Sequence, residues 1–318
     1  MNIIAIDVSK NTLDLLIGEN PQKAKAWKIE NSNEALEELL QKEIVSEDSE
    51  VVMESTGDYH RTASIFFLKK GFKVKILNPI LTKQYTNTTI RKIKTDKTDA
   101  EKIMKLALEG EGGEITLEGL NNPSKELLRL SHFMTKLKTQ LKLKLESVQT
   151  KGLIKEEPID DMMEIIDRME EIVKNLDGEA IEDMDDQSKL IDTIPGFSAK
   201  LSQIIVSECG DITRFKDANA LVAYAGLDPK ITQSGHSVHS TGRLTKRGSK
   251  FLRYALFLAA RVAWRYDAQL YEYYEKKRGE GRSFTETICI ISRKLLHRIY
   301  VVVKRQTPYE IKKVNFTA

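Results

Sequence analysis

The sequence predicts an α/β N-terminal domain built on a mixed sheet, a long helical insertion, and a mostly α C-terminal domain. Three observations carry that expectation. Short, continuous apolar runs alternate with helix-period segments over residues 1–110. From Pro123 to about Ser188, apolar residues recur at three- and four-residue steps. Residues 189–318 combine short helical patterns, a glycine-bearing stretch without helical period, and two long helical patterns. The expected domain limits are 1–120, 121–188 and 189–318.

In the first region, Asn2–Ile6 reads as a buried strand, and Thr12–Gly18 as its antiparallel neighbour across Ser9-Lys-Asn11. Ala24–Glu30 is a third, weaker strand. Asn31-Ser-Asn33 caps a helix over Glu34–Lys42, with Leu36, Leu39 and Leu40 on one face. Val51–Met53 is a buried strand, Tyr59–Lys70 a helix stopped by Gly71, and Lys73–Leu77 a strand ended by Asn78-Pro79. A further helix opens near Asp96. The order β-β-β-α-β-α-β-α predicts a mixed sheet with helices on its faces.

In the insertion, Leu127, Leu130, Met134, Leu137, Leu141, Leu145 and Val148 form one apolar series. Ile159, Met162, Ile166, Met169, Val173 and Leu176 form another, and Lys151-Gly152 and Pro158 interrupt the two. The reading is a helical hairpin or coiled coil of two arms; the competing one is a pair of amphipathic helices packed on their own domain. Residues 124–155 carry eight Lys or Arg against two acids, and 156–187 carry fourteen Asp or Glu against two basic residues, so one arm is basic and the other acidic.

In the third region, Ile194-Pro-Gly-Phe197 turns into a helix over Ser198–Ser207, and Ala218–Ala225 is a short helix. Gly226–Gly248 reads as a loop or hairpin. Long helices are expected from Ser249 to about Lys277 and from Phe284 to about Arg305.

A chain of 318 residues can bury a sizeable core and hold two domains. The formal charge of +3 decides little about partners. Cys209 and Cys289 are far apart and neither belongs to a CxxC pair, which suits reduced thiols in the cytoplasm. The N-terminal apolar run meets Asp7 almost at once without a basic start, so no secretory leader is expected. Tyr254–Ala260 is far too short to span a bilayer, and a soluble protein is expected.

Four acids occupy strand ends or a helix start: Asp7, Glu54, Asp96 and Asp99. A carboxylate closing a buried strand is well placed to hold a hard divalent cation, Mg²⁺ or Mn²⁺. Asp96 and Asp99 are spaced i,i+3, so on a helix both lie on one face. Four such ligands from three segments point to two-metal phosphodiester chemistry. Singly, each also suits a turn or a cap.

The Ile194-Pro195-Gly196-Phe197 turn looks like half of a helix-hairpin-helix, in which backbone N–H groups at a helix start meet a DNA phosphate. The competing reading is an ordinary helix-entry turn. The segment 233–253 is rich in hydroxyls and cations. Arg243, Lys246, Arg247, Lys250 and Arg253 suit phosphate contacts, and a serine beside glycine is sterically open as a nucleophile. The other reading of this segment is a solvated hairpin that contacts nucleic acid without chemistry. His236 and His239 have metal-pair spacing, but nothing nearby completes a zinc site.

Together these motifs resemble the DEDD transposases of insertion-sequence family 110, the recombinases guided by a structured bridge RNA, to which a site-specific pilin-gene invertase is related. The resemblance runs through Ile6-Asp7-Val-Ser-Lys10, Met53-Glu54-Ser-Thr-Gly57, Lys94-Thr-Asp96-Lys-Thr-Asp99-Ala100, Ile194-Pro-Gly196, Ala225-Gly-Leu-Asp-Pro229, and Ser234-Gly235 with Thr245-Lys-Arg-Gly248. It implies a RuvC-like, RNase H-fold N-terminal domain, a coiled coil and a C-terminal transposase domain. It also implies DNA and a bridge RNA as partners, dimers or tetramers, a bacterial or archaeal cytoplasm, and Mg²⁺ on the four acids. The matching nucleophile is Ser234, which would form a phosphoserine link to DNA. The family commonly has two serines, two glycines and a basic residue here, whereas Gln233-Ser234-Gly235-His236-Ser237 retains less of that, so Ser237, Ser240 and Ser249 stay as alternatives. Two rival classes are a RuvC-type structure-selective nuclease without a covalent intermediate, and a non-catalytic nucleic-acid-binding protein.

Overall fold

A computed structural model describes residues 2–42, 45–46, 48–55, 58–79, 82, 96–152, 156–234, 237–246 and 248–311, with backbone alone at 96–98, 156, 230–234 and 237–243. Its contacts divide the chain into two compact units, Met1–Asn121 and Asn122–Ala318.

The first unit is built on one sheet. Three strands, β1 (Ile3–Val8), β2 (Thr12–Gly18) and β3 (Lys25–Glu30), form an antiparallel meander. Helix α1 (Asn33–Leu40) follows, its first turn capped by the Ser32 hydroxyl, which accepts from the Ala35 N–H. Then come β4 (Glu50–Glu54), α2 (His60–Lys69), β5 (Lys73–Leu77), α3 (Asp96–Leu108), the two-residue β6 (Gly113–Glu114) and α4 (Leu117–Leu120). The strand order is β3-β2-β1-β4-β5-β6, with β4 parallel to both β1 and β5. The expected mixed α/β sheet is observed.

Because side chains alternate across a strand, the sheet buries two faces. Ile4, Ile6, Leu13, Leu15, Val51 and Met53 pack with Leu36 and Leu39 of α1 and with Ala63, Phe66 and Phe67 of α2. On the opposite face, Ile3, Ala5, Leu16, Val52 and Leu77 pack with Ala100, Ile103, Met104 and Ala107 of α3. The result is three layers, helix–sheet–helix, with both faces covered as parallel pairing requires.

The second unit is mostly helical. Helices α5 (Pro123–Lys151) and α6 (Glu156–Glu182) run antiparallel, tied by Ser131 donating to Asp177 at 2.5 Å and by Lys138 paired with Glu170 at 3.1 Å. Pro158 lies in the first turn of α6, where its missing N–H costs nothing, so it does not interrupt the arm. Next come α7 (Asp186–Asp192), α8 (Ala199–Cys209), a 3₁₀ turn (Ile212–Arg214) and α9 (Ala218–Ala225). Strands β7 (Pro229–Ser234) and β8 (Ser237–Leu244) form an antiparallel hairpin. Three helices finish the unit: α10 (Lys250–Tyr266), α11 (Ala268–Gly279) and α12 (Phe284–Arg305). The core is centred on α8, α9, α10 and α12 and includes Ile205, Leu221, Leu256, Ala259, Ile291 and Leu295.

The single helix expected over Ser249–Lys277 is two. Asp267 sits between α10 and α11 in an extended conformation and caps α11 by accepting from the Leu270 N–H. It is 2% exposed, accepts from Arg298 at 2.7 and 3.0 Å, and accepts from the Tyr309 hydroxyl at 2.7 Å. Both cysteines are free, and Cys209, fully buried, has its thiol pushed up to about 12 by burial and by Glu208. Among the described residues no helix is long and apolar enough to cross a membrane.

Candidate active site

Asp7 and Glu54 lie at one end and on one face of the sheet. In the parallel pairing of β1 and β4, Ile6 stands opposite Met53, and Asp7 and Glu54 follow one residue later. Neighbouring strands are about 4.8 Å apart, so the two carboxylates leave adjacent backbones side by side. Alternation puts both on the face of Ala5 and Val52, which α3 covers. Opposite Asp7 in the antiparallel pairing with β2 stands Asp14, on the same face. Asp14 is a carboxylate that the sequence reading missed. Its isolation in the apolar run Leu13-Asp14-Leu15 was the available signal, but its position opposite Asp7 depends on the hairpin register. Asp14 is paired with Lys28 on β3 at 3.2 Å, so its charge is already balanced.

Ala100 of α3 and Asp14 line the same cavity of about 200 Å³, which brings the first turns of α3 to this end of the sheet. Position 96 opens α3, one turn before Ala100. Asp99 is partly buried and accepts from Lys102 at 2.5 Å, an i,i+3 pair that competes with any cation for this carboxylate. The side chain of Asp96 lies outside the described residues. Among the described residues no three His, Cys, Asp or Glu side chains are grouped closely enough to hold a metal ion. The described part of the site is therefore the pair Asp7 and Glu54 together with position 96 on the backbone. Two hard oxygen donors on adjacent strands fit a divalent cation in chemistry.

The loops beside the acids are braced. Asn31 donates from Nδ2 to the Ser9 carbonyl at 3.1 Å and to the Tyr59 carbonyl at 3.0 Å. This ties the β1–β2 turn, just after Asp7, to the start of α2, just after Glu54.

In the second unit, Ser234 is the last residue of β7 and pairs with Ser237, the first of β8, so the two serines flank the hairpin tip. Ser240 lies further down β8, opposite Ile231. The side chains of these three serines and of Arg243 lie outside the described residues, as do residues 235 and 236 and Arg247. Ser249 is placed differently: it is the N-cap of α10, and its hydroxyl oxygen accepts from the Phe251 and Leu252 N–H groups at 3.2 Å. Lys246 and Lys250 are exposed. Arg253 donates to the Ala225 carbonyl at 3.2 Å and to the Gly248 carbonyl at 2.6 Å, so its guanidinium braces the hairpin base against α9. Burial lowers the Arg253 pKa from its ordinary value.

Pro195 and Gly196 lie in a turn closed by the Phe197 N–H donating to the Ile194 carbonyl at 3.1 Å. Gly196 has φ +95°, and a Cβ there would stand 2.4 Å from the Ala259 carbonyl oxygen of α10. The close approach of this turn to α10 thus accounts for the glycine by packing.

Comparison with known proteins identifies the family. Residues 4–149 match the DEDD transposase domain of the IS110 group, and residues 188–275 match the family described as "Transposase IS116/IS110/IS902 family". The pilin gene-inverting protein of Moraxella bovis is 26% identical over 329 aligned positions, covering 96% of this chain and 97% of that one. Its counterpart in Moraxella lacunata is 25% identical, with the same coverage. An uncharacterized 44.8 kDa protein of insertion element IS116 from Streptomyces clavuligerus is 29% identical over 138 residues, 43% of this chain and 34% of that protein. With both transposase domains present and in order, the chain belongs to the IS110 family of DEDD transposases and is a DNA transposase or recombinase.

Proposed function

We propose that the chain exchanges DNA strands by way of a covalent protein–DNA intermediate, with Ser234 as nucleophile and Asp7, Glu54, Asp96 and Asp99 as ligands for Mg²⁺ or Mn²⁺. The observation that carries this reading is the side-by-side placement of Asp7 and Glu54 on the α3-covered face of the sheet. The antiparallel β1–β2–β3 meander continuing into parallel β4 and β5 also supports a RuvC-like, RNase H-type fold for the first unit. The antiparallel pair α5–α6 supports the coiled coil.

A divalent cation, when bound, stabilises charge on the phosphate and lowers the pKa of an attacking hydroxyl. The chain's own groups do the rest. The serine hydroxyl loses its proton as its oxygen bonds to phosphorus, the P–O bond to one deoxyribose breaks, and the departing sugar oxygen takes up one proton in exchange to leave a free hydroxyl. The phosphodiester energy is kept in the phosphoserine bond. Attack by the hydroxyl of a second strand then reforms DNA and releases the serine without a high-energy cofactor. Lys246 and Lys250, exposed beside the hairpin, supply positive charge for phosphate binding. A structured guide RNA and a dimer or tetramer belong to the same proposal and rest on the family resemblance.

The test is a trapped reaction on a nicked substrate with Mg²⁺. The expected product is a protein–DNA adduct that survives denaturant, maps to Ser234 and disappears in Ser234→Ala. An adduct on Ser237 or Ser240 keeps the mechanism and moves the nucleophile. Free 5′-phosphate ends, no adduct and undiminished cleavage by Ser234→Ala would establish a RuvC-type nuclease instead.

A further inference from the structure

Helices α11 and α12 pack side by side, and each turns one stripe of side chains to the space between them. On α11 the stripe is Gln269, Tyr273 and Lys277, spaced i,i+4; on α12 it is Glu286, Ile290, Arg293 and His297. Two cavities, of about 450 and 770 Å³, share Tyr273, Ile290 and Arg293 and so form one groove. Its wider end is closed by Pro229, Leu244 and Lys246 at the base of the β7–β8 hairpin.

The groove holds more positive charge than its own carboxylates balance. Lys277 and Arg282 are engaged by Glu280, at 2.8 and 3.6 Å. Glu286 is committed to the helix cap, where it accepts from the Ser283 N–H at 2.9 Å. Lys246, Arg293 and Lys294 form no ion pair among the described residues. The Arg293 Nε is buried and without a hydrogen-bond partner among the described residues. The Lys294 ammonium rests on the Tyr273 ring, 4.1 Å from its centroid. Burial, followed by Arg293 and Lys294, lowers the pKa of His297, which registers the positive field along the same wall. Arg293 lines both cavities, is partly exposed and has no carboxylate partner among the described residues, so its guanidinium suits a ligand with several anionic oxygens.

We propose that this groove takes the phosphodiester backbone of a single nucleic-acid strand and leads it to the base of the β7–β8 hairpin. The stretch of α12 from Glu286 to His297 is about 16 Å long at 1.5 Å per residue. An unstacked strand is longer per nucleotide than the about 3.4 Å rise of a duplex strand, and this length still spans more than one phosphate, more than a free phosphate ion would use. The apolar floor at Ile290 and Leu244 suits unstacked bases, which a duplex does not offer. The inference rests on the reading that this chain works on nucleic acid, and it adds the site.

The test measures binding of a labelled oligothymidylate and a labelled oligouridylate to the full chain across a salt series, without divalent metal. Arg293→Gln with Lys294→Gln is expected to lower the log–log salt slope by about 1.4, at ~0.7 per single-strand phosphate contact. If that pair disturbs the thermal melt, Lys246→Gln with Lys294→Gln, both exposed positions, replaces it with the same expectation. A reduced slope with either strand supports the groove, and a reduction with only one names the strand as DNA or RNA. A normal slope in folded variants, or an equal fall in the charge-matched Lys142→Gln/Lys144→Gln control on α5, overturns it. In that case an intact Ser234 adduct leaves the recombinase reading standing, whereas a wild-type chain that binds neither strand removes both.

Discussion

Asp7 and Glu54 close adjacent parallel strands one residue beyond the register pair Ile6 and Met53, so two carboxylates share one face at one end of the sheet. Both lie on the layer that α3 covers, and α3 begins at position 96. Like charges on neighbouring strands repel, and a fold retains that cost where something binds there. Asp7→Ala or Glu54→Ala should therefore abolish strand exchange in Mg²⁺. The metal-free melt of Glu54→Ala should hold or rise, by up to about 0.5 kcal/mol, because a like-charged cross-strand neighbour is removed. Recombination assays beside thermal melts check both. Full activity in either variant would take that residue out of the site.

Ser249 and Ser234 should separate cleanly. The Ser249 hydroxyl caps α10, and such caps are worth about 1 kcal/mol. Ser249→Ala is expected to lose about that much stability and to keep the protein–DNA adduct. Ser234→Ala is expected to do the reverse. Chemical denaturation and adduct trapping on the same two variants read out each half.

Gly196→Ala should cost about 2 kcal/mol or more, since the new Cβ would stand 2.4 Å from the Ala259 carbonyl oxygen at a φ of +95°. Its nucleic-acid salt slope should match wild type once folded protein is compared. A stable Gly196→Ala variant with a reduced slope would restore the phosphate-contact reading of this turn.

Asp267 should give the second unit an acid-side slope. Burial alone raises its carboxyl, but hydrogen bonds from Arg298, Tyr309 and the Leu270 N–H outweigh burial and hold it below the ordinary carboxylate value. A carboxyl depressed in the folded state stabilises above its unfolded pKa, and this contribution is lost as pH falls through the folded value. Stability should thus fall below pH about 4. Asp267→Asn should cost about 3 kcal/mol at neutral pH, by leaving Arg298 without its counter-charge, and should flatten the acid limb. Denaturant melts from pH 3 to 7 on both proteins decide it.

Much of the first unit was legible residue by residue. Asn2–Ile6, Thr12–Gly18 and Lys73–Leu77 are short apolar runs bounded by turn residues, and each forms a strand. The acids stood out as a set of four, since singly each also suits a turn or a cap. The two-residue β6 was not legible, being too short to carry a period, and neither was the position of Asp14 opposite Asp7, which pairing across the hairpin sets.

In the second unit, the sequence by itself determined two long helical arms, a non-helical stretch over Gly226–Gly248 and the presence of long terminal helices, because periodicity and turn chemistry act over a few residues. Tertiary structure alone decided the break at Asp267, whose partners Arg298 and Tyr309 lie 31 and 42 positions away. It also decided that Arg253 spends its guanidinium on the Ala225 and Gly248 carbonyls, that Gly196 yields its space to α10, and that Tyr273 and Arg293 line one groove. Local propensity selects an element, but which buried donor meets which acceptor is settled only when distant segments pack and leave water behind.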